Sequence, residues 1–194
     1  MDRVIRRQLE LPSAGTATIS VRSPALISAD MRGIRSHGVA RLPKFINLIR
    51  QGSIKKKPDI SYHAGSRTTG FYDADNGLGI VTSALAMEKA IGLAEEYGTG
   101  FIAVKNSSHF GYPGYYVHQA MEKGMIGICM SNGGRITTPT FAIEPFMGSN
   151  PLSIGIPGGP DSHDFYLDMA TAVVARGKIE TRLRENLPIP KGWV

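Results

Sequence analysis

The 194-residue sequence holds one cysteine and one tryptophan, and no apolar run in it approaches the roughly 20 residues needed to cross a bilayer as a helix. One thiol forms no internal disulfide and cannot build a cysteine-based zinc site. Cys129 sits in the apolar stretch 125–130, which reads as a place for a buried, inert thiol rather than a nucleophile. The N-terminal charges Asp2, Arg3, Arg6 and Arg7 are followed by no apolar h-region, so a signal peptide is not expected and a cytoplasmic protein is the default. There is no G-x-G-x-x-G after a strand and no G-x-x-x-x-G-K-[ST], which leaves a Rossmann or P-loop site without support. Gly111-Tyr112-Pro113-Gly114 and Gly158-Gly159-Pro160 read as turns instead. The H-x-x-x-H and H-x-E spacings of metal sites are also missing, and no metal is expected.

What is present suits one ordinary globular chain with a sizeable core. The hydrophobic share is 42%, too high for wholesale disorder. Twenty-two Lys and Arg against 16 Asp and Glu give a net charge of +6, but the positive residues are dispersed. The one compact run, Lys55-Lys56-Lys57 before Pro58, reads as a solvated loop without aromatic interleaving, so neither nucleic acid nor membrane is an expected partner. A basic interaction module built on that loop is the weakest of three functional readings. A mild positive field equally attracts an anionic cofactor or substrate.

Hydrophobic periodicity gives a coarse element order. Val4, Ile5 and Leu9 suggest a short helix, and residues 16–21 alternate like a strand. Ser23-Pro24 reads as an N-cap with proline at the first helical position, opening a helix to Met31. A second helix is expected over 39–50, stopped by Gly52. Strands follow at 60–63 and 69–72, loop chemistry at 73–77, and the longest periodic helix at 78–97, ended by Gly98. A buried strand over 100–104 delivers Lys105-Asn106-Ser107-Ser108-His109. Then come a helix at 114–123, strands at 125–130, 152–156 and 165–167, and a helix at 171–184. This order places His109 and Asn132 at the carboxyl ends of neighbouring elements, a common location for a ligand site.

Two histidine strings carry the chemistry. Ser36-His37-Gly38-Val39-Ala40-Arg41 sets a guanidinium four residues after an imidazole; Ser107-Ser108-His109-Phe110-Gly111 follows the buried strand. A proton carrier near neutral pH beside a carboxylate clamp is what reduction of a 2-oxo acid requires. Taken singly, each residue has a plainer reading: His37 a helix-end or surface histidine, His109 a structural one, Arg41 a salt-bridge partner, Asp168 a helix N-cap. His63, His118 and His163 read as structural or solvated. A helix N-terminus is also an anion site, so Met169-Ala170-Thr171 could hold a cofactor phosphate through backbone N–H groups.

Together these strings resemble the malate/L-lactate dehydrogenase family that is distinct from the Rossmann-fold lactate and malate enzymes. That family includes ureidoglycolate dehydrogenase, sulfolactate dehydrogenase and 2,3-diketogulonate reductase. The resemblance lies in Ala29-Asp30-Met31-Arg32-Gly33-Ile34-Arg35-Ser36-His37-Gly38-Val39-Ala40-Arg41, Asp75-Asn76-Gly77-Leu78-Gly79, Asn106 to Gly111, Gly148-Ser149-Asn150-Pro151, and Leu167-Asp168-Met169-Ala170-Thr171 through Gly177-Lys178. It covers the chain from about Ala25 to Val194.

The resemblance implies a mixed α/β, non-Rossmann fold, a mixed sheet with flanking helices, incomplete at the C-terminus. It divides the chain into a helical substrate-side segment, 1–58, with 1–22 atypical, and a partial cofactor-binding domain, 59–194. It implies an oxidoreductase that uses NAD or NADP on a small 2-hydroxy or 2-oxo acid, and a homodimer. His109 matches the general acid/base, a role some members place at the position of His37. Arg41 matches the carboxylate-gripping arginine, with Ser36 beside it on the substrate side. Asn132, Gly133, Asp168, Met169, Ala170 and Thr171 match cofactor positions. Hydride would reach the 2-oxo carbon while a histidinium protonates the alkoxide.

Departures from the family pattern are Phe45 for a tyrosine, Gly133 for a serine, Phe141-Ala142 for Gly-Gly, Ser149 for threonine, and residues 1 to about 22. Relatives continue past the Ile189-Pro190-Lys191-Gly192-Trp193 block. The alternative reading is therefore a truncated, catalytically inactive fragment of such an enzyme.

Overall fold

The computed structural model describes residues 16–193, with side chains from residue 24 onward. The helix expected around Val4, Ile5 and Leu9 lies outside the described residues. The chain is a mixed α/β structure of two compact units that divide between Tyr115 and Tyr116.

The first unit opens with α1 (Thr16–Met31). The strand expected at 16–21 is therefore helical, and Pro24 lies inside the helix rather than at its first residue. Six alternating residues are a weak signal, and the helical spacing of Ala25, Leu26 and Ala29, all buried, prevails. The helix ends in a Schellman motif: Gly33 adopts φ +74°, its N–H bonds to Asp30, and the N–H of Ile34 reaches Ala29. A single 3₁₀ turn, Val39–Arg41, leads into α2 (Leu42–Arg50), which buries Phe45 and Ile46.

Strands β1 (Ser61–Ala64), β2 (Thr69–Gly77) and β3 (Phe101–Ser107) form the first sheet. The β1–β2 pair is antiparallel and the β2–β3 pair parallel, joined by the crossover helix α3 (Gly79–Tyr97). β2 outruns the expected strand because residues 73–77 stay paired across a register shift. Asp75 and Asn76 take left-handed φ values of 47° and 55° there, a conformation these short polar side chains tolerate. Ala25, Leu26, Phe45, Ile54, Leu78, Ile80 and Val81 make the core of this unit.

Helix α4 (Gly114–Met121) leads to the second sheet, an antiparallel β4 (Gly127–Met130), β5 (Leu152–Ile156) and β6 (Phe165–Met169) in that order. Small residues line its covered face. Gly127 lies against Val117 and Ala120, and Gly155 against Val117 and Met121, with no room for a Cβ at Gly155. Ser153, fully buried between them in sequence, donates its hydroxyl to the Leu167 carbonyl. The opposite face is aliphatic and aromatic throughout: Met130, Leu152 and Met169 pair in one row, Ile128, Ile154 and Leu167 in the next, then Ile156 and Phe165. Ile128, Met130, Ile156, Phe165 and Met169 are exposed. Helix α5 (Arg176–Arg184) closes the element order. Among the described residues no helix is long and apolar enough to cross a membrane.

Candidate active site

The first unit assembles Ser36, His37, Arg41 and His109. Asp30, in the last turn of α1, is the anchor of the first string. An acid at a helix C-terminus opposes the macrodipole, so its presence there needs a specific partner. The partner is the N–H of Val39, 2.9 Å from Oδ2. Gly38 packs so close to the Asp30 carboxylate that a Cβ would overlap it. With the His37 N–H on the Ile34 carbonyl and the Arg41 N–H on that of Gly38, the turn is pinned on both sides of the histidine. The Arg41 Nε donates to the Ser36 carbonyl at 2.6 Å, and the Ser36 hydroxyl lies 2.9 Å from His37 Nδ1.

The second string is placed from the sheet and from α3. The Ser108 N–H reaches the Gly77 carbonyl, and the Ser108 hydroxyl accepts the Gly79 N–H at 3.0 Å. Gly79 has no space for a Cβ, because the Ser108 and His109 main chain occupies it. The rings of His37 and His109 stack with centroids 5.5 Å apart, and Phe45 packs at 6.0 Å from His109. Phe45 makes this wall of the site a ring without a hydroxyl.

The Gly111 N–H donates to His109 Nδ1 at 3.1 Å. Nδ1 is therefore the acceptor, and the neutral ring carries its proton on Nε2. Burial of most of the ring, then the positive charges of His37, Arg41 and Lys44, push the His109 pKa down to about 3. One edge of the residue remains exposed, and water there opposes the shift; every neighbouring charge acts in the same direction. The resting ring is thus neutral, the form in which a histidine takes a proton from a hydroxyl.

The second unit assembles the other candidates at one end of its sheet. Asn132 and Gly133 follow β4, Asp168 and Met169 end β6, and the segment 148–151 lies between them. The Gly133 N–H bonds to Asn150 Oδ1 at 2.9 Å, and Gly133 and Gly148 are in backbone contact. The Ser131 N–H reaches the Pro151 carbonyl, while the Thr171 N–H and hydroxyl both go to Ser149. Two local expectations fail here. Asp168 is a strand residue paired with Ser153 rather than a helix N-cap, and α5 begins at Arg176 rather than Thr171. Met169, Ala170 and Thr171 therefore sit on a strand end and bend, away from any helix N-terminus. The ladder of this strand, paired with β5 over all its five residues, is worth more than a cap that the sequence pattern alone would favour.

The donor set at this end comprises an amide (Asn132), a carboxylate (Asp168) and glycine backbone, with open space around Gly134. Such a set fits the hydroxyls and carboxamide of a nicotinamide nucleoside. Thr171 is spent on Ser149 and holds the loop. Among the described residues there is no group of three or more His, Cys, Asp or Glu that could hold a metal. Burial, then the negative charge of Asp168, pushes the Cys129 thiol up to about 12, consistent with an inert thiol.

Sequence reasoning assigned no role to Asp30, to the Gly111 N–H or to Lys44. Only Asp30 carried a readable signal, its unfavourable position at the helix end.

A family profile described as malate/L-lactate dehydrogenase matches residues 7–194. The chain is 41% identical over 172 residues to an L-sulfolactate dehydrogenase of Methanocaldococcus jannaschii, covering 89% of this chain and 49% of that protein. It is 43% identical over 170 residues to a malate dehydrogenase of Pyrococcus abyssi, covering 87% and 46% respectively. The crystal structure of a malate dehydrogenase from Entamoeba histolytica superposes with a TM-score of 0.89 at 35% identity, covering 100% of this chain and 52% of that one. The chain spans about half the length of the curated relatives it matches.

Proposed function

The chain belongs to the malate/L-lactate dehydrogenase family, and on that footing we propose that it serves NAD- or NADP-dependent hydride transfer between nicotinamide and a small 2-hydroxy or 2-oxo acid. The observation that carries this reading is the stack of His37 on His109, with the Arg41 guanidinium tied to the carbonyl of Ser36, the residue before His37. A bound nicotinamide would supply hydride to, or take it from, the carbon bearing the substrate oxygen.

The protein's own groups divide the remaining work. Arg41, its Nε tied to Ser36, presents its terminal nitrogens in a fixed direction and grips the substrate carboxylate. His109 Nε2–H faces the substrate oxygen as donor. Arrival of an anion offsets the positive charges that hold the ring neutral and favours the imidazolium; Nδ1 takes the second proton from solvent and gives up the Gly111 N–H, and Nε2 then hands its own proton to the oxygen as negative charge develops, leaving a neutral ring protonated on Nδ1. His37, braced by the Ser36 hydroxyl, stands beside it as the second catalytic imidazole. Asn132, Gly133, Asp168, Met169 and Ala170 hold the nucleoside, and Thr171 braces them.

The same proposal includes the division into a substrate-side segment, 1–58, and a cofactor-binding part, 59–194. It also includes a cytoplasmic homodimer, an association favoured by the outward apolar face of the second sheet.

Replacing His109 with alanine should abolish reduction of 2-oxo acids by NADH or NADPH while cofactor binding persists. Undiminished turnover would remove His109 from the mechanism. The alternative, an inactive fragment, draws on the half-length match to the relatives. Measurable turnover by the 194-residue chain would dismiss it.

A further inference from the structure

Tyr112 stands in Gly111-Tyr112-Pro113-Gly114, the string that turns the chain from His109 into α4. The residue is 2% exposed, and its hydroxyl meets Ser28 Oγ of α1 at 2.5 Å across 84 positions of sequence. The backbone prepares this contact. Gly111 takes φ +88°, a conformation open to glycine, and Pro113 disfavours a helical conformation for Tyr112. The phenol is thereby sent from the His109 loop to α1.

Both histidine strings consequently end on the last turn of one helix. Asp30 holds the N–H of Val39, two residues after His37. Ser28 holds Tyr112, three residues after His109, and the Gly111 N–H on the way sits on His109 Nδ1. Residues two apart on a helix do not share a face, so the strings grip the end of α1 from different sides. Ser108 fastens His109 to the start of α3 and to the Gly77 carbonyl, neither of which carries His37. The Ser28–Tyr112 bond joins one string to the helix that carries the other, and the two rings meet with centroids 5.5 Å apart.

We propose that Tyr112 is a positioning residue whose hydrogen bond to Ser28 fixes the spacing and tilt of His109 against His37. This inference rests on the reading of the two imidazoles as the proton-transferring pair. A misplacement of about 1 Å can cost about 10²-fold in rate, and two strings hung from different elements need a bridge of fixed length to avoid it. A pair of hydroxyls supplies one, because either oxygen left buried without the other is costly. An apolar contact at the same place would set no such length.

The test compares the 194-residue chain with Tyr112→Phe, Ser28→Ala and the double variant. Each single change removes one hydroxyl, and alanine is the best helix former, so Ser28→Ala leaves α1 intact. Proton resonance reads two signals. One is the cross-peak between the ring protons of His37 and His109. The other is protonation of the His109 ring at about pH 5.5, one unit below the ordinary histidine value. In the wild type the cross-peak should be strong and the ring neutral, held so by burial and by His37, Arg41 and Lys44. Each variant should weaken the cross-peak and let the ring bind protons. The double variant should go no further than either single change, since one bond is lost in all three. Urea midpoints that fall while both ring signals stay as in the wild type would show a merely structural bond and overturn the proposal. The reading beneath it fails separately. Oxaloacetate added to the wild type should move the His109 ring protons, and no response there would remove the site and the role of Tyr112 with it.

Discussion

The imidazoles of His37 and His109 lie nearly face to face, their planes 23° from parallel, and His37 is one of the groups that make His109 harder to protonate. His109 is held down to about 3 from an ordinary 6.5, first by burial and then by His37, Arg41 and Lys44. Its folded value is below its unfolded one. Between about 6.5 and about 3 the unfolded chain therefore binds a proton that the folded chain refuses, and stability falls as pH drops through that window. Urea midpoints should decline from about pH 6.5 toward about pH 4.5, and His109→Gln should flatten the decline. Asp73, lowered to about 2 mainly by the Asp75 N–H and Asn106, acts with the same sign only below its ordinary 3.8. A level wild-type profile across the upper window would contradict the assignment.

Asp30 and Gly38 should behave as one unit. Asp30→Ala leaves the Val39 N–H without its acceptor and should cost about 1 kcal/mol. Gly38→Ala drives a Cβ into the carboxylate and should cost about 1–3 kcal/mol. In the double variant the obstruction is gone, so the two costs should sum to more than the combined loss. Chemical denaturation of the four proteins measures this directly. Strict additivity would show that something other than the carboxylate crowds Gly38.

Two glycines of α3 should respond in opposite directions to the same change. Gly79→Ala pushes against the Ser108 carbonyl and the His109 main chain, and should destabilise by about 1–3 kcal/mol while shifting the His109 ring resonances. Gly92 has nothing within 4 Å of where its Cβ would stand, and it lies inside the helix. Gly92→Ala should stabilise by about 0.5–1 kcal/mol. Thermal melts distinguish them; equal effects would rule out the close approach at Gly79.

The second sheet should be tolerant on one face and intolerant on the other. Ile128, 53% exposed, should accept lysine at a cost within about 0.5 kcal/mol, with reduced self-association by light scattering. Gly155→Val, directed at Val117 and Met121, should unfold the unit at a lower denaturant concentration. A large loss of stability in Ile128→Lys would mean that this face is covered.

Much of the arrangement was legible in the sequence, and the exceptions have physical causes. The helix over 78–97 and the Gly52 and Gly98 stops rest on local rules that the fold respects, whereas the strand before His109, expected to be buried, is largely exposed because it stands at the edge of its sheet. His37, Arg41, Ser36 and His109 could be picked out because each stands among small residues that have no local reason to flank a histidine. Residues 16–21 misled because a short alternation was outweighed by burial further along the same helix. Asp168 misled because an acid before a run of small residues looks like a cap, whereas pairing with Ser153 depends on a strand that folds in from elsewhere. The neutrality of His109 was beyond any linear reading. It sums burial of the ring with charges contributed from sixty and more positions upstream.

Because Gly77 and Gly111 hold the segment carrying His109 through peptide groups, and Gly79 through the Ser108 hydroxyl, the aim of that imidazole is set by the chain path and one serine rather than by the rings around it. The walls around it are consequently free to diverge, as the bare ring of Phe45 illustrates. Evolution could retune such a pocket for one acid or another by exchanging lining side chains, with the reactive nitrogen left where it stood.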